Sequence, residues 1–131
     1  MENSIDKLTE CIIGCAMEVH KALGPGFLES VCEKALVIEL NEHGIKCQSQ
    51  VPIKATYRGQ SVGEFIADLF VENQRLVELK ASQILHDRYG IQLVNYLTAT
   101  GIDDGLLINF GADSLHFKRK RRVYTPSHQN Q

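Results

Sequence analysis

The chain's pattern predicts an α/β sandwich, a central sheet flanked by helices, and three observations carry that reading. Two amphipathic helical stretches open the sequence, separated by Gly24-Pro25-Gly26. Three runs of alternating, strand-forming residues then follow one another between Ile45 and Lys80 with only short turns between them. After a third helical stretch, two more strand-like runs close the chain. The order helix, helix, three antiparallel strands, helix, two strands suits a sheet covered by helices, although periodicity alone allows several α+β arrangements.

From about Ser4 to Leu23 the residues Ile5, Leu8, Ile12, Cys15, Ala16 and Val19 form one apolar stripe at helical spacing. Gly24 suits a helix C-terminus, and Pro25 starts a new direction. A second helix runs from Phe27 to about Glu42, with His43-Gly44 as its stop. Glu29, Cys32 and Leu36 share one face of it. Glu29 is expected at a core boundary in the first turn, where the helix dipole favours its charge. Ile45 to Tyr57 reads as extended, and Arg58-Gly59-Gln60 as the turn into the next strand. The third helix spans about Ile84 to Thr100, with Leu85, Tyr89, Gln92 and Tyr96 along one face and Gly101 as its stop. Strands at Gly105–Phe110 and from Leu115 to about Tyr124 flank a turn at Gly111–Ser114. One domain over 1–124 is expected, and 125–131 has the composition of a mobile tail.

The candidate chemistry lies in the second and third strands. Asp68 and Glu78 interrupt two runs of Phe, Ile, Leu and Val, and Lys80 follows Glu78 two positions later. Burying a carboxylate in such a run is costly unless something pairs with it. Two carboxylates on neighbouring strands could hold a divalent cation, with the lysine amine beside it. Alternation along a strand puts Glu78 and Lys80 on one face, roughly 6–7 Å apart. Phe65, Ala67, Leu69 and Val71 read as one uninterrupted apolar face, and Val77, Leu79 and Ala81 as its partner. If those odd-numbered faces are core, Asp68, Glu78 and Lys80 share the opposite face. A two-residue loop at Asn73-Gln74 would set Asp68 across from Leu79, so the pattern demands an odd loop or a bulge between Phe70 and Leu76. The alternative is that Asp68 is a bend or edge carboxylate and Glu78–Lys80 an ordinary surface ion pair.

Asp68 followed by Glu78-Leu79-Lys80 resembles the core of the PD-(D/E)XK nuclease superfamily. More specific is the segment Glu18-Val-His-Lys-Ala-Leu-Gly-Pro-Gly-Phe-Leu-Glu29-Ser-Val-Cys32. With Gln92-Leu-Val-Asn-Tyr-Leu97 and Gly105-Leu-Leu-Ile-Asn-Phe-Gly111, it is similar to the GxxExxY family of that superfamily, from about Ile12 to Phe117. The resemblance implies a restriction-endonuclease-like core with a central mixed sheet. It implies Mg²⁺ or Mn²⁺ held by Asp68, Glu78 and the Leu79 carbonyl, hard oxygen ligands that suit those ions rather than zinc. Glu29 adds a further carboxylate, directly or through water. Lys80 orients the attacking water, stabilises developing charge or takes a proton, and Gln92 hydrogen-bonds that water or a phosphate. An amide capping the helix face is the other reading of Gln92. Two positions depart from the family pattern: Cys32 stands in place of its tyrosine, and Tyr89 in place of the histidine three residues before the helix glutamine.

Two function classes follow, a metal-dependent nuclease acting on DNA or RNA and a non-catalytic module binding nucleic acid or protein on the same fold. Intact Asp68, Glu78 and Lys80 favour the first; the two departures and the acidic bulk favour the second. The net charge of −2 conceals that asymmetry, because Lys118, Arg119, Lys120, Arg121 and Arg122 supply five of the fourteen basic residues. The rest of the chain holds nine basic against sixteen acidic residues, a balance of −7. The strip could contact phosphates, or it could guard a strand edge. A homodimer is one way for so small a domain to grip a duplex. The 131 residues contain no apolar run long enough for a bilayer and no signal-peptide pattern, so a cytoplasmic location and no membrane partner are expected. Cys11, Cys15, Cys32 and Cys47 form no C-x-x-C pair and read as buried, reduced thiols; a zinc site with His20 would match no usual spacing.

Overall fold

A computed structural model of the protein describes residues 6–123. The expected helix start at Ser4, the strand end at Tyr124 and the tail at 125–131 lie outside the described residues. The elements follow the expected order: α1 (Lys7–Leu23), α2 (Glu29–Glu42), β1 (Cys47–Tyr57), β2 (Gln60–Val71), β3 (Arg75–Lys80), α3 (Asp87–Thr100), β4 (Asp104–Asn109) and β5 (His116–Arg121). Asp6 caps α1 by accepting the Thr9 N–H at 2.7 Å, and Gly24 ends it at φ 75°, which glycine adopts without strain. α2 starts two residues later than the sequence suggests because Leu28 holds an extended backbone. α3 likewise starts at Asp87 rather than Ile84, where the His86 ring accepts the Arg88 N–H at 3.0 Å.

The five strands form one mixed sheet in the order β1-β2-β3-β4-β5. Only β3 and β4 run parallel, joined by the crossover through α3; the other neighbours are antiparallel. α1 and α2 cover one face of the sheet, packing Ile12, Ala16, Val19, Leu36 and Leu40 on Leu69, Val77, Leu79, Leu106 and Ile108. α3 covers the other face, with Leu93, Tyr96 and Leu97 against Ile53, Ala67, Leu76 and Leu107. The strands between two helical layers are apolar on both faces, and all six positions of β4 are buried.

One expectation is corrected here. The residues Phe65 to Val71 do not form a single apolar face. Ala67 belongs to the α3 side, where the Phe65 ring lies 5.3 Å from that of Tyr96, while Leu69 and Val71 belong to the α1/α2 side. The change of side falls at Asp68, opposite Gln50 in the β1–β2 register, and Gln50 has φ 56°. Alternation along β2 is broken there because the opposed main chain takes a left-handed step.

Both ends of β3 are fixed. At its start, Arg75 pairs with the α1 cap Asp6 and with Asp104 of β4, while Arg119 of β5 reaches the same two acids and Arg121 reaches Asp104. Burial would raise the Asp6 carboxyl, but hydrogen bonds from Thr9 and Arg75 outweigh it and hold the group at about 2. At its end, the fully buried Asn109 side chain accepts the Ser82 N–H at 3.0 Å and donates to the Ser82 carbonyl at 2.8 Å. Gly111 completes this clamp, since a Cβ there would stand 2.2 Å from the Ser82 nitrogen and 2.4 Å from the Ala81 carbonyl carbon. Gly111→Ala should therefore cost about 2–4 kcal/mol in urea unfolding, because main chain cannot yield as a flexible side chain can. A loss below about 0.5 kcal/mol would mean that the exit of β3 is not clamped.

Candidate functional site

The turn between β2 and β3 decides where the acidic side chains stand. Val71 pairs with Arg75, which leaves the three-residue loop Glu72-Asn73-Gln74, with Glu72 and Asn73 at φ 52° and 55°. The loop is odd, as the pattern demanded. The register Leu69↔Val77 and Phe70↔Leu76, continued by one step, sets Asp68 opposite Glu78.

At that step, side chains replace the strand ladder. The Asp68 N–H donates to Glu78 Oε2 at 2.9 Å, and the Leu79 N–H donates to Asp68 Oδ2 at 2.7 Å. Each carboxylate thus accepts a main-chain hydrogen bond from the opposite strand through one of its oxygens. Glu78 is only 6% exposed. Burial, with Asp68 and then Glu29 adding repulsion, pushes its carboxyl from an ordinary 4.5 to about 8, despite the Asp68 N–H and Lys80. Burial also raises Asp68, against the opposing pull of the Leu79 N–H, Lys80 and Gln50. The same negative field reaches α3, where burial and then Glu78 and Asp68 raise the Tyr96 hydroxyl.

The other expected residues gather around this pair to different degrees. Lys80 points toward α3, its Nζ 4.3 Å from the centre of the Tyr89 ring. Glu29, the first residue of α2, is exposed rather than at a core boundary, and it meets Glu78 only through its field. Gln92 is exposed on α3, in a cleft of about 380 Å³ shared with Phe65, Asn95 and Tyr96. Among the described residues it makes no hydrogen bond to Asp68, Glu78 or Lys80. The basic run forms the exposed edge strand β5, yet much of it is already engaged. Arg119 and Arg121 join the ion pairs at Asp6 and Asp104, Arg122 donates to Asp103 at 2.7 Å, and Lys118 lies 3.9 Å from Asp87. Lys120 packs its chain end against Gly90 of α3.

Sequence reasoning missed two residues of the site. Glu33 lies one helical turn after Glu29; burial raises its carboxyl, and Asp68 and Glu29 add to the effect. The Gln50 amide donates to both Glu33 oxygens at 3.0 Å and also serves Asp68. The Glu29/Glu33 spacing was visible as a shared helix face. Nothing in the sequence marks the left-handed backbone that turns Gln50 toward α2.

The cysteines divide. Cys15 and Cys32 are buried, with burial as the main cause pushing the first up to about 11 and raising the second. Cys11 is exposed, contrary to expectation, and the His20 ring donates its Nε2–H to the Ala112 carbonyl at 2.9 Å. Among the described residues no three His, Cys, Asp or Glu side chains gather closely enough to cage an ion. The donor set nonetheless fits Mg²⁺ or Mn²⁺. Such ions take hard oxygens, need only one or two carboxylates and keep several waters, and Asp68 and Glu78 offer two adjacent oxygens whose repulsion a cation would relieve.

A sequence model of the PD-(D/E)XK nuclease superfamily matches residues 6–123. The chain belongs to that superfamily. The fold agrees with this membership: the crystal structure of SSO0001 superposes with a TM-score of 0.59 at 15% identity, over 76% of this chain and 52% of that one. This chain therefore spans about half the length of that protein, and the likeness is one of fold. No curated protein matches the chain in sequence. Among the described residues no helix is long and apolar enough to cross a membrane. The five-stranded mixed sheet with helices on both faces is the restriction-endonuclease-like α/β core.

The raised carboxyls make a pH prediction for the protein in EDTA. Glu78 binds its proton more tightly folded than unfolded, so its contribution is fully present below 4.5 and is lost as the pH rises through about 8. Wild-type Tm should fall over that window, and Glu78→Gln should fall less and end roughly 1–3 kcal/mol more stable at the alkaline side. Parallel Tm curves for the two proteins would mean that Glu78 ionises without cost.

Proposed function

We propose that this protein is a divalent-cation-dependent nuclease that hydrolyses phosphodiester bonds in DNA or RNA, and that within the superfamily it belongs to the GxxExxY group. The observation that carries the reading is the pair of mutually repelling carboxylates, the buried Glu78 and the half-buried Asp68, hydrogen-bonded across two strands with the Lys80 charge nearby. Neighbouring carboxylates whose ionisation is pushed up, set in the superfamily's sheet, suit a cation site of this chemistry.

In this reading Asp68 and Glu78 are the ion's protein ligands, with the Leu79 carbonyl as a third oxygen. Bound Mg²⁺ or Mn²⁺ supplies Lewis-acid polarisation of the scissile phosphate and of the attacking water. Lys80 orients that water and offsets charge that develops on the phosphate. Glu29 and Glu33 lie within electrostatic reach and hold outer waters, and Gln92 meets the substrate at the mouth of the α3 cleft. The side of the sheet bearing Lys118 and Lys120 contributes to phosphate attraction; Arg119, Arg121 and Arg122 are mainly committed to aspartates. A non-catalytic nucleic-acid- or protein-binding module is the second reading, and it is favoured by the buried thiol of Cys32 beside Glu29, which orients a carboxylate only weakly.

The test is cleavage of single- and double-stranded DNA and RNA with Mg²⁺ or Mn²⁺. Lys80→Met should keep fold and Mn²⁺ binding while slowing cleavage by at least roughly 10²-fold. Asp68→Asn should abolish the Mn²⁺-induced rise in Tm, since an ion that binds only the native state stabilises it. A wild type that cuts no substrate, and gains no activity from Cys32→Tyr, would decide for the binding module.

A further inference from the structure

Lys80 stands where simple electrostatics would not leave it. It follows Glu78 by two positions, roughly 6–7 Å along β3, so its flexible stem spans the distance to either carboxylate. Glu78 is buried and Asp68 half-buried, the two repel each other, and both are relieved electrostatically by this lysine. An unrestrained ammonium would close onto them. Instead, among the described residues Lys80 forms no ion pair with either acid, and its Nζ lies 4.3 Å from the centre of the Tyr89 ring.

The ring is itself held. Tyr89 sits in the first turn of α3, with Arg88 Cζ 5.0 Å from the ring centre and Arg88 Nη2 donating to the Tyr89 hydroxyl at 3.1 Å. Two cations therefore share one aromatic face system, and the hydroxyl contact fixes the ring's orientation. An ammonium over a ring is attracted by the ring's quadrupole and keeps some of its hydration, a contact strong enough to compete with a partly screened carboxylate.

We infer that Tyr89 is the positioning residue for Lys80: its ring holds the ammonium off Asp68 and Glu78 and so keeps both carboxylates open to a divalent cation. The consequence for the ion rests on the metal-dependent reading; the placement of the lysine does not. An aliphatic residue at 89 would release the ammonium onto the carboxylates, where it would compete with the ion as an internal counter-charge. A phenylalanine would keep the ring and lose only the Arg88 hydrogen bond.

Two measurements on the full chain separate these claims. In the metal-free protein, the Lys80 ε-methylene proton signals, identified by their loss in Lys80→Met, should be shifted upfield by the Tyr89 ring current. The shift should persist in Tyr89→Phe and vanish in Tyr89→Leu. In calorimetry, Mn²⁺ affinity should fall roughly tenfold in Tyr89→Leu, stay near wild type in Tyr89→Phe, and recover in Tyr89→Leu/Lys80→Met, where no ammonium competes. An unshifted Lys80 signal in wild type overturns the proposal, and so does a double variant that fails to recover affinity. A shifted signal in a wild type that binds no Mn²⁺ upholds the lysine's placement and overturns the metal-dependent reading.

Discussion

β2 has to leave β3 in order to run the length of β1, and the two crossed hydrogen bonds of Asp68 and Glu78 make that separation possible. The β2–β3 ladder holds for three residue pairs only, whereas β2 stays paired with β1 from Gln60 to Val71. Main-chain groups released by a parting pair of strands need partners, since a buried N–H without one costs about as much as a lost hydrogen bond. The Asp68 and Leu79 N–H groups find theirs in the two carboxylates. The same side chains that burial penalises are thus the acceptors that close the gap. One oxygen of each acid is thus taken up by the fold itself.

The site depends equally on how firmly β3 is held. Its first residue, Arg75, ties it to the α1 cap and to β4, and the Ser82 main chain just beyond its last residue is gripped by Asn109. Neither clamp touches the acids. Both set the height of β3 in the sheet, and therefore the level at which Glu78 meets Asp68 and Lys80 meets α3. The basic edge strand takes part in this framing more than in display: Arg119 and Arg121 neutralise the Asp6/Asp104 pair at one end of the sheet. Pro52 and a register shift at Ala55/Thr56 interrupt the opposite edge, β1. Both edges are thereby poor templates for another strand.

The element order was legible because each element carries its own local signal, and the odd hairpin was legible because only one parity buries Leu69, Val71, Val77 and Leu79 together. What could not be read came from long-range or left-handed geometry. Gln50 acquires its place in the site through a positive φ in the middle of a strand, and glutamine gives no warning of that. The same irregularity moves Ala67 to the α3 side and breaks the apolar face that alternation suggests. Arg119 finds Asp6 across more than a hundred residues of sequence, so its run of neighbouring charges reads as a free basic strip until the sheet is assembled. Glu29 and Gln92 were chosen through the family resemblance, and both lie around the acidic pair rather than against it.

The short turn also orders events during folding. With only Glu72, Asn73 and Gln74 to close, Asp68 and Glu78 meet through a local hairpin, an event of microseconds, whereas β3 finds β4 only after the whole of α3 has been placed. The acids therefore come together while water still screens them, when their repulsion is small. Their desolvation cost arises only as α2 and α3 close over the sheet. Whatever neutralises the finished pair accordingly favours the assembled protein over the open hairpin, where the acids are still hydrated.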